Sequence, residues 1–266
     1  MSAEESNIRI GTPTFDPGVI RSADVLSDLI HKVGHEIGNP LTAIISLAAI
    51  IERFHHESTS GEPGAYAKKT ASYAGSIMDE AWKISALSER LVMLLSQKPG
   101  NVSSCDLLEA VEKAVQKLRM RQKNKRLDIV IQQIGDGSCK VAIDSEQLNV
   151  LIIELIVNAQ NALLYEWPQD LPPGPISAFI RAGENSCVML ISNEVPEPRA
   201  LDISSLFDPF VTTNADRKHL GLGLTVCWAI LKRFDCTVRI IEQPSVAGRS
   251  FTVEATFPRP TLPKEE

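Results

Sequence analysis

The apolar positions in the first third of the chain recur with the period of a helix. Between residues 22 and about 56, Val25, Leu29, Val33, Ile37, Ile44, Ala48 and Ile51 follow one another at spacings of three, four or seven. This is the narrow stripe of a coiled coil or helical bundle. Pro40 falls inside the run and removes one backbone donor, so a kink is expected there, with Gly38 adding local looseness. Residues 58–65, STSGEPGA, have the composition of a turn. A second stripe runs from about 66 to 97 through Ala67, Ala71, Ala74, Ile77 or Met78, Ala81, Ile84, Leu87, Leu91 and Leu94. Two long amphipathic helices with a short connection predict an antiparallel hairpin. One hairpin cannot bury both stripes. A four-helix bundle built from two copies, a homodimer, is the prediction, and packing on the rest of the same chain is the alternative.

The pattern changes at Lys98, Pro99, Gly100 and Asn101, which break the helix and mark a domain boundary. Residues 1–21 carry Gly11, Pro13 and Pro17 without periodicity and read as a flexible lead-in, too short for a sensor domain. The helical hairpin occupies 22–98 and a second domain 101–260. In that second domain a helix is expected from Cys105 to about Lys123, and strands over 127–133 and 139–143. Asp144 opens the next helix, with Gln147 three residues on in a capping-box arrangement, and that helix reaches about Glu166. Pro168, Pro172, Pro173 and Pro175 make a loop. Strands follow over 176–182 and 186–192, then a long irregular connection over 193–220. A helix over 223–234 and strands over 237–242 and 250–257 close the domain. Helices and strands mix without strict alternation. The fold class is an α-helical hairpin plus an α+β domain, a layer of helices on a mixed sheet.

Composition narrows the function. With 266 residues, 44% hydrophobic and 23% charged, the chain has the balance of a globular protein with a real core. A net charge of −6 argues against nucleic-acid binding as its main business. There is no uninterrupted run of eighteen apolar residues, so no membrane span is expected. The polar, acidic start is unlike a secretory signal. The five cysteines are scattered without CxxC spacing, so reduced thiols and a cytoplasmic location are expected.

Candidate chemistry begins in VGHEIGNPL, residues 33–41. His35 and Asn39 are one helical turn apart on one face, and Glu36 sits beside them. An imidazole, a carboxylate and an amide on one helix surface suit a phosphoryl-accepting site. Glu36 would take the proton from the attacking nitrogen, and Asn39 would orient a water or a phosphoryl oxygen. A surface histidine on an ordinary helix is the plainer alternative. Further on, Gly221 and Gly223 flank Leu222 just before a helix. Glycines allow close backbone approach, and amides at a helix start favour phosphate.

Four stretches in fixed order carry a family resemblance. HEIGNPL resembles the histidine box of dimeric sensor histidine kinases of two-component systems. ELIVNAQNA, residues 154–162, resembles their asparagine box. LFDPFVTT, residues 206–213, resembles their phenylalanine box, and LGLGLTV, residues 220–226, their second glycine box. GRSFTVEATFP, residues 248–258, is a weaker fifth match. The resemblance implies a helical dimerisation and phosphoacceptor domain followed by an ATP-binding domain of the gyrase, Hsp90, kinase and MutL type. It implies that Asn158 holds Mg2+ on the ATP phosphates and that Glu154, one turn earlier, coordinates through water or polarises the site. Phe207 and Phe210 would anchor a mobile lid over the nucleotide. The implied partners are a second copy, the receiver domain of a response regulator, and a separate sensor protein supplying input.

The chain departs from the family in places. Asn193, in ISNEVPEP, stands where relatives carry the aspartate that accepts a hydrogen bond from the adenine amino group. An amide carbonyl accepts the same bond without charge assistance. Val195 and Glu197 replace glycines, which stiffens or fills the adenine pocket. Asn161 falls where many relatives carry a basic residue, and His219 replaces a glycine of the second glycine box. Three readings follow. The first is an ATP-dependent histidine autokinase that phosphorylates His35 and passes the group to a regulator aspartate. The second is a degenerate relative with weak or no ATP binding, acting as a phosphatase through Asn39 or as a phosphotransfer hub. The third is an ATPase of the same superfamily without phosphohistidine, which the histidine box disfavours.

Overall fold

The computed structural model describes residues 8–57, 63–96, 100–121, 128–135, 137–165, 174–195, 202–212, 220–245 and 248–259. They fall into two compact units, one covering Gly18–Val92 and the other Met1–Pro17 together with Met93–Glu266.

The first unit is the helical hairpin. Its stripes form α1 (Ala23–Glu57) and α2 (Pro63–Leu95). The charges of Lys83 and Arg90 on α2 act on Glu36 of α1, so these stretches of the two helices lie near one another. Leu29, Val33 and Leu87 are buried in the seam. Pro40 does not end α1. It cannot donate to the Glu36 carbonyl, yet the helix runs on, and Thr42 Oγ1 donates to the Gly38 carbonyl at 2.8 Å. The turn expected over 58–65 falls largely on 58–62, outside the described residues. Ile30, Ile45, Met78 and Trp82 stay exposed on the hairpin.

The second unit is a layer of helices on a mixed sheet. In chain order it contains β1 (Arg9–Gly11), β2 (Val102–Asp106), α3 (Leu107–Arg121), β3 (Ile129–Ile134), β4 (Lys140–Asp144) and α4 (Ser145–Tyr165). Then come β5 (Ile176–Ala182), β6 (Ser186–Val195), α5 (Gly223–Arg233), β7 (Thr237–Ser245) and β8 (Gly248–Pro258). A short 3-10 helix, Ile203–Phe207, lies between β6 and α5. The main sheet has the order β1-β7-β8-β6-β5-β3, parallel between β3 and β5 and antiparallel elsewhere. Burial sets its faces: Ile176, Ala178 and Ile180 of β5 and Phe251, Val253 and Ala255 of β8 are buried, while Ser177, Phe179, Ser250 and Glu254 are less so. α4 packs on β6 and is flanked by α3 and α5.

Several expectations need correction. The lead-in is not unstructured where described: Arg9–Gly11 pairs with β7, and Pro17–Arg21 forms a 3-10 turn. Three residues are too few to display a period. Cys105 belongs to β2, not to the following helix, because Asp106 accepts from the Leu108 and Glu109 amides and starts α3 there. The strand around 139–143 is β4, and it pairs with β2 in a separate two-stranded sheet. The capping box at α4 is half formed. Asp144 Oδ1 accepts from the Gln147 amide at 2.9 Å, while the Gln147 side chain accepts from Arg233 instead of reaching back. α4 is also long and apolar enough, with mean hydropathy 1.3 over Ser145–Leu164, to pass the length and composition test for a membrane span. Its buried Leu151, Ile152, Leu155 and Ile156 make it the core helix of this unit. All five cysteines are free thiols.

Candidate functional site

α4 supplies the carboxylate and amides of the second unit. Glu154, Asn158 and Asn161 lie along one side of an otherwise apolar helix. Glu154 is buried, while Asn158 and Asn161 are half-buried, so Asn158 reaches solvent and is not the fully enclosed amide that its apolar flanks suggest. The amide of Asn158 has no hydrogen-bond partner among the described residues.

α5 starts against this side. A Cβ on Gly223 would lie 3.1 Å from Glu154 Oε2. The first turn of α5 carries no acidic residue, and Leu222 at its N-cap makes no side-chain capping bond. Its leading amides are thus left for another acceptor, the condition under which helix starts take anions. Thr225, inside this turn and fully buried, has a hydroxyl without a partner among the described residues. The sequence reading missed it. Its position two residues after Gly223 was the available signal.

The stretch between β6 and α5 closes on itself. Asp202 caps the 3-10 helix by accepting from the Ser204 amide at 3.0 Å. Leu206 and Phe207 are buried and anchor it. Phe210, half-buried, takes a left-handed φ of 70° and its amide donates to the Gly221 carbonyl at 3.1 Å. Gly221 itself has φ 65°, and a Cβ there would meet the Val211 carbonyl oxygen at 2.5 Å. Phe210 and Val211 are joined to Gly221 at this contact, which a side chain on Gly221 would prevent. Burial, then the charge of Asp202, pushes the Asp208 carboxyl above the ordinary range. Thr213 and His219 lie outside the described residues.

Asn193 lies inside β6, opposite Phe251 of β8, because β6 runs on to Val195 where the sequence suggested an end near 192. It is 4% exposed, and its Nδ2 donates to the Glu194 carbonyl at 3.0 Å. That leaves the carbonyl as its side-chain acceptor. Val195 is buried as well, and Glu197 lies outside the described residues.

His35, Glu36 and Asn39 belong to the hairpin unit. His35 and Asn39 are exposed on α1 and Glu36 is half-buried. The His31 ring stands edge-on to His35 at 4.9 Å between centroids. Burial raises the Glu36 carboxyl above its ordinary value, and the charges of Arg90 and Lys83 pull it partly back. Glu36 thus follows the exposed His35 in sequence with its carboxyl half-buried.

The residues present fit a nucleotide phosphate chain. They offer an uncapped helix start, a glycine contact that keeps the space beside Glu154 open, and an amide one turn from that carboxylate. Among the described residues no group of three or more His, Cys, Asp or Glu makes a metal cage. Mg2+ is commonly held by one or two side chains plus phosphate oxygens, and Asn158 and Glu154 suit that arrangement.

Comparison with known proteins agrees with this geometry. The family of histidine kinase-, DNA gyrase B- and HSP90-like ATPases matches residues 143–261. The chain is 24% identical over 228 residues to the sensor histidine kinase ZraS of Klebsiella oxytoca, covering 85% of this chain and 45% of that protein. It is 27% identical over 239 residues to the sensor protein kinase PilS of Pseudomonas aeruginosa, covering 88% of this chain and 41% of that protein. The chain thus spans less than half the length of these curated relatives. In fold it is similar to the Acinetobacter baumannii histidine kinase AdeS, with a TM-score of 0.54, 18% identity, and coverage of 85% of this chain and 98% of that one. Residues 143–261 therefore match the histidine kinase-, DNA gyrase B- and HSP90-like ATPase family, in a chain similar to sensor histidine kinases over most of its length.

Proposed function

We propose that the chain is an ATP-dependent protein histidine kinase of a two-component system. The hairpin, 22–98, is its dimerisation and phosphoacceptor domain, and 101–260 its ATP-binding domain. A His35 ring nitrogen attacks the γ-phosphorus, the bond from that phosphorus to the bridging oxygen breaks, and ADP leaves. Glu36 takes the proton from the attacking nitrogen. The phosphoryl group then passes to an aspartate on the receiver domain of a response regulator. Glu154, Asn158, Asn161 and the Gly221–Leu222–Gly223 turn bind the phosphates, and Asn193 accepts from adenine. Bound Mg2+ on Asn158 and Glu154 supplies charge neutralisation at the phosphates. The approach of Gly223 to Glu154 carries this reading, since it joins the two phosphate-facing elements in one place.

The exposed Ile30, Ile45, Met78 and Trp82 favour a homodimer, in which a second hairpin covers them. A cytoplasmic location and input from a separate sensor protein complete the reading. The test is incubation with γ-labelled ATP and Mg2+, scored for acid-labile label. Label on the wild type that is absent from His35→Ala supports it, and label persisting in His35→Ala refutes the His35 assignment.

One observation favours a second reading. Asn193 is enclosed in a strand with its amide nitrogen already engaged, beside a buried Val195. A protein with so closed an adenine pocket would serve as a regulator phosphatase through Asn39, or as a phosphotransfer hub. Absence of both label and nucleotide binding, with regulator dephosphorylation retained, would decide for it.

A further inference from the structure

The segment ahead of α1 is seated on β7, the 3-10 helix and α5. Arg9, Ile10 and Gly11 pair with Glu242, Ile241 and Ile240, adding an edge strand to β7. Arg9 reaches Glu242 at 2.7 Å, and that carboxylate is wholly buried. Arg249 also donates to the Glu242 carbonyl at 3.3 Å. Gly11 lies hard against the 3-10 helix: a Cβ there would meet Ile203 Cγ1 and the Ser204 amide nitrogen, each at 2.7 Å. Four residues later the chain crosses α5, where Trp228 Nε1 donates to the Phe15 carbonyl at 3.1 Å and Lys232 pairs with Asp16 at 3.0 Å.

Each seat has a different character. The pairing at β7 is only three residues long and closes an open sheet edge. The Arg9–Glu242 pair is partly desolvated, so losing Arg9 leaves a buried carboxylate with less compensation. The Lys232–Asp16 pair is exposed and contributes little. The Gly11 seat is steric: besides Ile203 Cγ1 a side chain would meet the Ser204 amide nitrogen and the Ile203 carbonyl carbon, backbone atoms that cannot swing away. The Trp228 bond fixes the exit of the segment on the helix whose start faces the phosphate site.

The 3-10 helix leads into Phe210 and α5 follows Gly221, so the two are stems joined by the Phe210–Gly221 bond. A strap that touches both limits how far the stems move apart. We infer that residues 9–16 are a brace for these two stems, and that docking of the brace raises nucleotide affinity by holding them in the binding arrangement. As regulation of nucleotide binding this rests on the ATP-binding reading above, whereas the bracing itself does not.

The experiment is amide hydrogen exchange on the full chain without nucleotide, followed by titration with a non-hydrolysable ATP analogue. Gly11→Val drives a side chain into Ile203 and Ser204. Trp228→Phe keeps the ring and removes only the N–H. Exchange in 203–212 and 221–224 is expected to quicken by about tenfold in Gly11→Val and by about threefold in Trp228→Phe. Analogue affinity should fall in the same order, with little change in the melting temperature of Trp228→Phe. If Gly11→Val fails to fold, Trp228→Phe decides alone. Wild-type exchange at both stems overturns the brace. Faster exchange with unchanged or tighter analogue binding overturns its regulatory role. A wild type that binds no analogue refutes the ATP-binding reading and with it the regulatory role, and the exchange data still decide the brace.

Discussion

Glu154 on α4 and Gly223 at the start of α5 approach so closely that a Cβ on the glycine would stand 3.1 Å from the carboxylate Oε2. This contact brings the acidic and amide side chains of one helix to the uncapped amides of the next. Gly223→Ala adds a methyl group at a spacing tighter than ordinary van der Waals contact, so the buried Glu154 must shift. Nucleotide affinity is expected to fall about tenfold, roughly 1.4 kcal/mol, with the fold retained. Calorimetric titration with an ATP analogue checks it, and undiminished affinity would detach this contact from the nucleotide site.

Glu36 gives a pH dependence. Its carboxyl is raised by burial and lowered in turn by Arg90 and Lys83. A base works only when deprotonated, so phosphorylation of His35 should fail as pH falls through the Glu36 value, which lies above the ordinary 4.5. Removing Arg90 takes away the larger of the two lowering charges. The acidic limb of the rate profile should therefore move to higher pH in Arg90→Leu. Linkage has the matching sign. The folded hairpin prefers the protonated acid, so the stability penalty grows as pH rises from 4.5 through the folded value and is complete above it. Glu36→Gln should be more stable at neutral pH and inactive. An unmoved limb in Arg90→Leu would remove Glu36 as the base.

Asn193 is the third test. A carboxylate accepts a hydrogen bond about twice as strongly as a neutral amide carbonyl, so Asn193→Asp should tighten ATP binding by about five- to tenfold, on the order of 1 kcal/mol. The same change places a charge at a site that is 4% exposed, so the nucleotide-free protein should be less stable to urea. Both effects together identify the adenine site. Lower stability with no gain in affinity would mean that the pocket is built on another residue.

Much of this was legible because long elements repeat their signal. α1, α2 and α4 each carry several turns of periodic apolar positions, and their extents follow from those positions. The strand β8 alternates apolar and polar residues through Phe251, Val253, Ala255 and Phe257. What stayed hidden was short or long-range. β1 has three residues, and what makes it a strand is the edge of β7, more than two hundred residues away. β2 reads VSSCD, with no apolar alternation, and exists because β4 lies beside it. At the candidate site, the glycines stood out by type and spacing, while Asn158 and Glu154 were indicated by the resemblance of their stretch to the asparagine box. The enclosure of Asn193 did not, because it depends on β6 continuing to Val195 against β8. Nor did the role of Gln147, whose capping position was visible but whose side chain Arg233 claims.

Asp144 permits a test of stability separate from catalysis. It ends β4 and begins α4, and its carboxylate accepts from three backbone amides: Asn101 at 2.7 Å, Gln147 at 2.9 Å and Glu146 at 3.1 Å. One oxygen satisfies the first turn of the core helix, and the other ties that turn to the residue preceding β2. Asp144→Ala leaves these donors without the acceptor in a nearly buried place. A cap alone is worth about 1 kcal/mol, and a buried donor left unmade costs a similar or larger amount. The loss should be about 2–3 kcal/mol in urea unfolding of the ATP-binding unit. Asp144→Asn keeps a carbonyl for the Gln147 and Glu146 amides, yet its NH2 group would face the Asn101 N–H. It should recover the helix-cap part and not the link to residue 101, so its stability should fall between the alanine variant and the wild type. Equal losses in both variants would place the stabilisation in the charge and not in the two-sided acceptor geometry.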